Sequence, residues 1–200
     1  MRGGSKRIPT LSPGMRVGLL GGSFNPPHAG HRAASLWALK RLGLDRVLWL
    51  VTPGNPLKDV RALPPLAARL KAAQAVAADP RIEVTALEAD LGTVFSHDTV
   101  AKLCARYPRV RFVFLIGADN LGQFHRWKRW RELARLVPIA VVDRGGTGLG
   151  PLAAPAALAL ARYRIAETGA KVLPLCAPPA WVFLHGLRSP LSSTELRARG

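Results

Sequence analysis

The segment from Gly21 to His31 reads GGSFNPPHAGH and constrains the fold more than any other part of the chain. It follows a short apolar run and leads into a helical pattern that begins near Gly30. Glycines allow the backbone to approach a phosphate closely, and a helix N-terminus presents unpaired N–H groups with a partial positive charge. Because His28 and His31 are three residues apart, they share one face of that helix. The segment therefore predicts a strand, a turn and a helix start that bind the phosphates of a nucleotide triphosphate.

The same segment resembles the HxGH motif of the nucleotidyltransferase superfamily, whose members transfer a nucleotide from a triphosphate and release pyrophosphate. Near the C-terminus, SSTELR (Ser192 to Arg197) is similar to the ISSTxxR element of that superfamily, with Leu191 where isoleucine is usual. Taken alone, SSTELR is an ordinary capping box at a helix start. Beside the histidine motif, it indicates that two distant parts of the chain hold one ATP.

Other interpretations of these residues are weaker. Helical zinc pairs usually lie four residues apart and need a third ligand, whereas His28 and His31 are three apart. The glycines Gly21 and Gly22 belong to neither a P-loop nor a dinucleotide-binding motif. Cys104 and Cys176 have no metal or redox spacing, so a reducing, cytoplasmic location is expected.

Length and composition predict one compact unit. The chain has 200 residues, of which 48% are hydrophobic, enough to bury a substantial core. We expect residues 1–14 to form a basic flexible tail and residues 15–200 to form a single nucleotidyltransferase domain. No apolar run is long enough to span a bilayer, and the N-terminus lacks the apolar centre of a signal peptide.

The formal net charge of +17 indicates affinity for polyanions. The densest basic stretch, Arg126 to Arg131, interleaves arginine and lysine with Trp127 and Trp130. Such a stretch is typical of proteins that bind single-stranded nucleic acid, but it would equally suit a site for an anionic nucleotide. Charge alone does not decide between these alternatives.

Apolar runs that alternate with helical patterns predict a mostly parallel, Rossmann-like α/β sheet of five to six strands, with helices on both faces. Ligands of such sheets bind at the carboxyl ends of the strands, near the topological switch point. The predicted strands are Val17–Leu20, Arg46–Thr52, Arg81–Leu87, Val110–Ile116, Ile139–Val142 and Trp181–Leu184. The predicted helices are Gly30–Leu42, one ending near Ala78, Asp98–Tyr107, Arg126–Leu136 and one beginning at Ser192.

Three further segments are similar to nicotinate-nucleotide adenylyltransferases in particular. IGADNLGQFHRW (Ile116 to Trp127) resembles the IGxDxLxxFxxW stretch of that family, and TPGNPLK (Thr52 to Lys58) occupies the place of its proline-rich loop. Phe95 and Ser96 stand where the family commonly has Tyr-Thr. The resemblance implies transfer of the adenylyl group of ATP to nicotinate mononucleotide, with Mg²⁺ held mainly by the substrate phosphates.

The resemblance also implies roles for individual residues. The catalytic residues would be His28 and His31. The ATP-binding residues would be Gly21, Gly22, Ser23, Phe24 (chiefly through packing), Asp119, Ser192, Ser193, Thr194 and Arg197. The mononucleotide-binding residues would be Lys58, Phe95, Ser96 and Trp127, and no metal ligand is expected from the protein.

Other activities stay open at this point. Related acceptors are nicotinamide mononucleotide and phosphopantetheine, because the two end motifs permit all three. A non-enzymatic, basic nucleic-acid-binding protein would explain the charge but not the paired phosphate motifs. We expect ATP and nicotinate mononucleotide as partners, with no membrane and no nucleic acid, and we leave open a homo-oligomer.

Overall fold

A single parallel sheet organises the chain in the computed structural model, which describes residues 9–54, 63–143 and 150–186. The strands are β1 (Arg16–Gly22), β2 (Arg46–Val51), β3 (Ile82–Thr85), β4 (Arg111–Gly117), β5 (Ile139–Val142) and β6 (Trp181–Leu184). The α-helices are α1 (Ala29–Leu42), α2 (Leu66–Ala77), α3 (Leu87–Asp90), α4 (Ser96–Arg106), α5 (Ala118–Leu121), α6 (Trp130–Leu136) and α7 (Pro155–Ala159). Short 3₁₀ helices span Phe124–Arg126, Gly150–Ala153, Ala161–Tyr163 and Glu167–Leu175.

The six strands lie in the order β3-β2-β1-β4-β5-β6, and every neighbouring pair is parallel. The chain fills one half of the sheet from β1 outward and then returns to the other side of β1 with β4. The switch point therefore lies between the carboxyl ends of β1 and β4, where ligands of such sheets bind. This topology confirms the predicted Rossmann-like fold, and all six predicted strands are present.

Helices cover both faces of the sheet, as the alternating pattern predicts. On one face, α1 and α2 bury Ala38 and Ala73 with the tryptophan of β2, Trp49. On the other face, α4 and α6 bury Val100 and Leu133. Strands covered on both sides are apolar throughout rather than alternating, and all four residues of β5 and of β6 are buried.

The predicted helix Arg126–Leu136 ends where expected, but its predicted start is wrong, because α6 begins only at Trp130. The chain forms a 3₁₀ turn at Phe124–Arg126, becomes extended at Trp127 and adopts a left-handed conformation at Arg129 (φ 58°) before α6 begins. In a continuous helix, Trp130 would lie about 120° around the axis from Phe124, which is six residues earlier. The break instead allows both Trp127 and Trp130 to contact the buried ring of Phe124, at centroid distances of 5.4 and 5.7 Å.

Smaller differences occur at other boundaries. β1 runs two residues further than predicted, and Gly21 and Gly22 pair with the last residues of β2. The third strand is shorter than predicted and is followed by the unpredicted helix α3. Before β1, Leu11 is 8% exposed in the core, and the Tyr107 hydroxyl donates to the carbonyl of Pro9.

Among the helices of the three described ranges, none is long and apolar enough to cross a membrane.

Candidate active site

The first turn of α1 is capped by the two histidines themselves. His28 is the N-cap, and its Nδ1 accepts a hydrogen bond from the backbone N–H of Gly30 at 3.1 Å. His31 occupies the third helical position, and its Nδ1 accepts from the backbone N–H of His28 at 3.3 Å. This is a reciprocal capping box in which imidazoles replace the usual serine and glutamate. A neutral imidazole that accepts through Nδ1 carries its proton on Nε2, so Nε2 is the nitrogen of each ring that can donate. The Nε2 atom of His28 is buried.

A stack of aromatic rings holds the histidine pair in place. The rings of His28 and His31 have centroids 3.9 Å apart, and the ring of His31 lies 4.9 Å from that of Phe24. Phe24 is only 1% exposed and stacks on Trp49 at 4.8 Å. The indole N–H of Trp49 donates to the hydroxyl of Ser35, which in turn donates to the carbonyl of His31. Phe24 is thus a packing residue beneath His31.

The glycines before this turn leave room at the end of β1. A Cβ added to Gly21 would meet no heavy atom within 4 Å, so the surrounding fold does not require glycine there. A Cβ on Gly22 would stand 3.4 Å from the ring of Phe24. The open space at Gly21 matches a backbone that a ligand approaches closely. Ser23 follows at the point where β1 ends.

Arg69, which the sequence analysis did not single out, ties the ends of two strands together. It is 3% exposed and lies on the buried side of α2 with Ala73. Its guanidinium donates to the carbonyls of Ser23 (2.9 Å), Thr52 (2.7 Å), Pro53 (3.2 Å) and Pro64 (3.0 Å). Burial lowers the pKa of this group from its ordinary value, but arginine remains charged in proteins. In the sequence, Arg69 stands four residues before Ala73, so both lie on the same buried face of α2. A buried charge needs hydrogen-bond partners, and this pattern could have pointed to Arg69.

Glu88 is the second buried group that the sequence analysis missed. This carboxyl on α3 is 4% exposed, and burial raises its pKa to about 7, while the nearby hydroxyls of Thr52 and Thr99 oppose the rise. Its Oε2 atom has no hydrogen-bond partner among the described residues. A four-residue helix carries too weak a pattern to reveal such a residue in advance. Because Glu88 lies near Thr52, the titratable carboxyl is close to the carboxyl end of β2.

The residues predicted to bind the mononucleotide meet at a different part of the sheet edge. Phe95 is the N-cap residue of α4, and Ser96 begins that helix. Lys128 places its ammonium 4.4 Å from the centroid of the Phe95 ring and so joins this helix start to the Trp127 segment. Trp127 is half-buried and contacts the rings of Phe124 and Phe114 edge-on. The structure brings Phe95, Ser96 and Trp127 into one neighbourhood.

Asp119 is exposed in the first turn of α5, directly after β4. It therefore lies on the β4 side of the switch point, and β1 ends on the other side. The remaining predicted site residues lie outside the described residues: Lys58, Ser192, Ser193, Thr194 and Arg197.

These groups suit the binding of anions. The start of α1 supplies backbone N–H groups and the positive end of a helix dipole, and the two imidazoles add Nε2 donors beside it. Donors held in position before a ligand arrives stabilise charge that builds up during a reaction. The arrangement favours phosphate chemistry at the end of β1.

Known proteins are similar to this chain over nearly its whole length. The sequence model of the Cytidylyltransferase-like family matches residues 19–199. A protein from Bradyrhizobium sp. (strain ORS 278), named "Probable nicotinate-nucleotide adenylyltransferase", is 62% identical over 183 residues, which cover 92% of this chain and 95% of that protein. A protein of the same name from Agrobacterium fabrum is 54% identical and covers 92% of this chain and 98% of its own length.

A solved structure shows the same fold. The Plasmodium falciparum nicotinic acid mononucleotide adenylyltransferase complexed with NaAD superposes with a TM-score of 0.67 at 16% sequence identity, covering 92% of this chain and 83% of that one. From the family match and the high identity to full-length relatives, it follows that the chain belongs to the cytidylyltransferase-like family and, within it, to the nicotinate-nucleotide adenylyltransferases.

Proposed function

We propose that this chain transfers the adenylyl group of ATP to nicotinate mononucleotide, forming nicotinate adenine dinucleotide and releasing pyrophosphate. The observation that carries the proposal is the double histidine cap at the end of the central strand, which aims a helix N-terminus and two imidazoles at one place. The 62% identity with a nicotinate-nucleotide adenylyltransferase over 92% of the chain supports the choice of substrates.

The chemistry needs positioning more than proton transfer. An oxygen of the acceptor phosphate forms a bond to the α-phosphorus of ATP, and the bond from that phosphorus to the bridging oxygen of the β-phosphate breaks. The acceptor phosphate is already an anion near neutral pH, so no general base is required. The obstacle is the approach of several negative charges, which fixed donors and orientation reduce. His31 supports the charge that builds up on the α-phosphate, and His28 with the α1 N-terminus holds the triphosphate.

Magnesium fits this scheme as a partner of the substrate. Within the described ranges there is no group of three or more histidine, cysteine, aspartate or glutamate side chains that could hold a metal ion. An Mg²⁺ ion here would take its ligands mainly from the triphosphate and water, which is its usual mode with nucleotides. Bound in this way, it would offset part of the negative charge of ATP.

The acceptor occupies the sheet edge beside β4. Trp127 stacks on the nicotinate ring, and Ser96 with the backbone groups near it meets the carboxylate of that ring. Asp119 accepts hydrogen bonds from sugar hydroxyls on the α5 side. Lys58 and the segment Ser192 to Arg197 remain predicted phosphate ligands.

The test is an acceptor assay with the intact protein. ATP and Mg²⁺ are supplied with nicotinate mononucleotide, nicotinamide mononucleotide or phosphopantetheine, and both pyrophosphate and the adenylylated product are measured. We expect the highest kcat/KM with nicotinate mononucleotide. Preferential turnover of phosphopantetheine, or no pyrophosphate release with any acceptor, would contradict the proposal.

A further inference from the structure

Lys128 carries a positive charge that no carboxylate neutralises within the described part of the chain. Its ammonium lies over the ring of Phe95 at 4.4 Å, within the range of a cation–π attraction. Two carboxylates on the flanking helices α4 and α6 are engaged elsewhere: Asp98 pairs with Arg129 at 3.1 Å, and Glu132 pairs with the same arginine at 2.6 Å. Lys128 is exposed, so a ligand beside Phe95 can reach its charge.

The position of this charge differs from that of the phosphate donors. His28 and His31 begin α1, which covers the face of the sheet that buries Trp49. Lys128 lies between Trp127 and α6, and both α6 and α4 cover the opposite face. A mononucleotide with its phosphate at α1 and its base beside Trp127 would cross the sheet edge from one face to the other. Its base, and not its phosphate, would then lie next to Lys128.

We infer that Lys128 is a specificity-determining residue that favours an acceptor whose pyridine ring bears a carboxylate over one that bears a carboxamide. This inference rests on the proposed function and adds the group that selects between the two acceptors. The acid and the amide have nearly the same shape, so packing against Trp127 distinguishes them poorly. They differ by one negative charge, and a cation held beside the ring by Phe95 responds to that difference.

The contribution of Lys128 to the preference for the acid depends on how exposed its side chain is. A charged pair at a surface is weak, but a hydrogen bond to a charged group inside a substrate cleft is stronger. We expect Lys128 to contribute about tenfold to the preference for the acid. Because the mononucleotide phosphate and ATP are bound by other residues, the contribution is to KM for the acid acceptor and not to KM for ATP.

The experiment compares the intact protein with Lys128→Met, Lys128→Arg and Arg131→Met. Methionine keeps an unbranched apolar chain over Phe95 and removes the charge. Arg131 is a matched control, because its guanidinium lies 4.4 Å from the ring of Trp130 and its loss changes the net charge equally. For each protein, kcat and KM are measured with nicotinate and with nicotinamide mononucleotide, and thermal unfolding is recorded.

We expect Lys128→Met to lower kcat/KM for nicotinate mononucleotide about tenfold through KM and to leave kcat/KM for the amide nearly unchanged. Lys128→Arg should retain the selectivity, and Arg131→Met should match the wild type. An unchanged acid-to-amide ratio in Lys128→Met, or an equal loss in Arg131→Met, would overturn the inference alone. A wild-type protein that fails to use nicotinate mononucleotide would overturn the proposed function and this inference together.

Discussion

The backbone N–H of His28 donates to Nδ1 of His31 at 3.3 Å, so the second histidine of the motif caps the residue that caps the helix. Each imidazole thus accepts a hydrogen bond from the backbone of α1 through its Nδ1 atom. In the proposed function, helix initiation and ligand recognition depend on the same two side chains. Substitutions at these positions separate the two roles.

In the proposed mechanism, replacing His31 by alanine removes a donor that supports charge on the α-phosphate. We expect kcat to fall by about 100-fold or more, the usual effect of losing a preorganised donor. The fold should persist, because His31 is one member of a capping box and its neighbours Phe24 and Trp49 still stack on each other. Steady-state kinetics and thermal unfolding are the measurements. Full activity in His31→Ala would remove this histidine from the mechanism.

Asparagine at position 28 distinguishes the cap from the imidazole. Asparagine is among the best N-cap residues, so His28→Asn should unfold close to the wild-type midpoint, whereas His28→Ala should lose about 1 kcal/mol. Neither variant restores the Nε2 donor, so we expect both to lose most of the turnover. If His28→Asn is as active as the wild type, the histidine serves only to start the helix.

Arg69→Met tests the link between the strand ends. The substitution leaves the carbonyls of Ser23, Thr52, Pro53 and Pro64 without the guanidinium that now pairs them. These hydrogen bonds are partly buried and lie at one buried guanidinium, so their joint loss is costly. We expect a loss of about 3 kcal/mol in the free energy of unfolding, measured with urea. Displacement of the segment after β1 should also raise KM for ATP.

Lys71→Met provides the control for that experiment, because Lys71 is exposed on the same helix. It should change the free energy of unfolding by no more than about 0.5 kcal/mol. Equal effects of the two substitutions would mean that the contacts of Arg69 contribute nothing particular to the fold.

Glu88 gives the protein a pH-dependent stability. Its pKa is about 7 in the folded state, above the ordinary value of 4.5, so the folded state binds the proton more tightly than the unfolded state. The stabilisation from this proton is complete below about pH 4.5 and is lost as the pH rises through 7. The free energy of unfolding falls by about 3 kcal/mol across this interval. In Glu88→Gln this fall in stability should disappear.

The measurement is urea unfolding of both proteins between pH 5 and pH 8. Asp90→Asn, on the same short helix, is the control and should retain the wild-type slope. Parallel pH profiles for the wild type and Glu88→Gln would contradict the assignment of this titration to Glu88.

Much of the fold could be predicted because its strands are buried on both faces. β5 and β6 have the predicted boundaries, since short apolar runs between polar turns admit few alternatives. The predicted helix through Trp127 failed for a tertiary reason. The break places two tryptophans on the buried Phe124, and local helical periodicity carries no information about that contact.

The candidate site divides in the same way. The histidines could be predicted because the residues that cap the helix are contiguous in sequence. The partners of Arg69 lie 5 to 46 residues away, so the tie between strand ends exists only after folding. The neighbourhood of Phe95 and Trp127 likewise depends on the packing of α4 against α6.

The central position of β1 has a consequence for robustness. Its backbone is protected by β2 on one side and β4 on the other, while the outermost strands contain only four residues each. Fraying begins where few contacts hold an element in place. Local opening is therefore expected to start at the margins of the sheet, away from the turn that carries the two histidines.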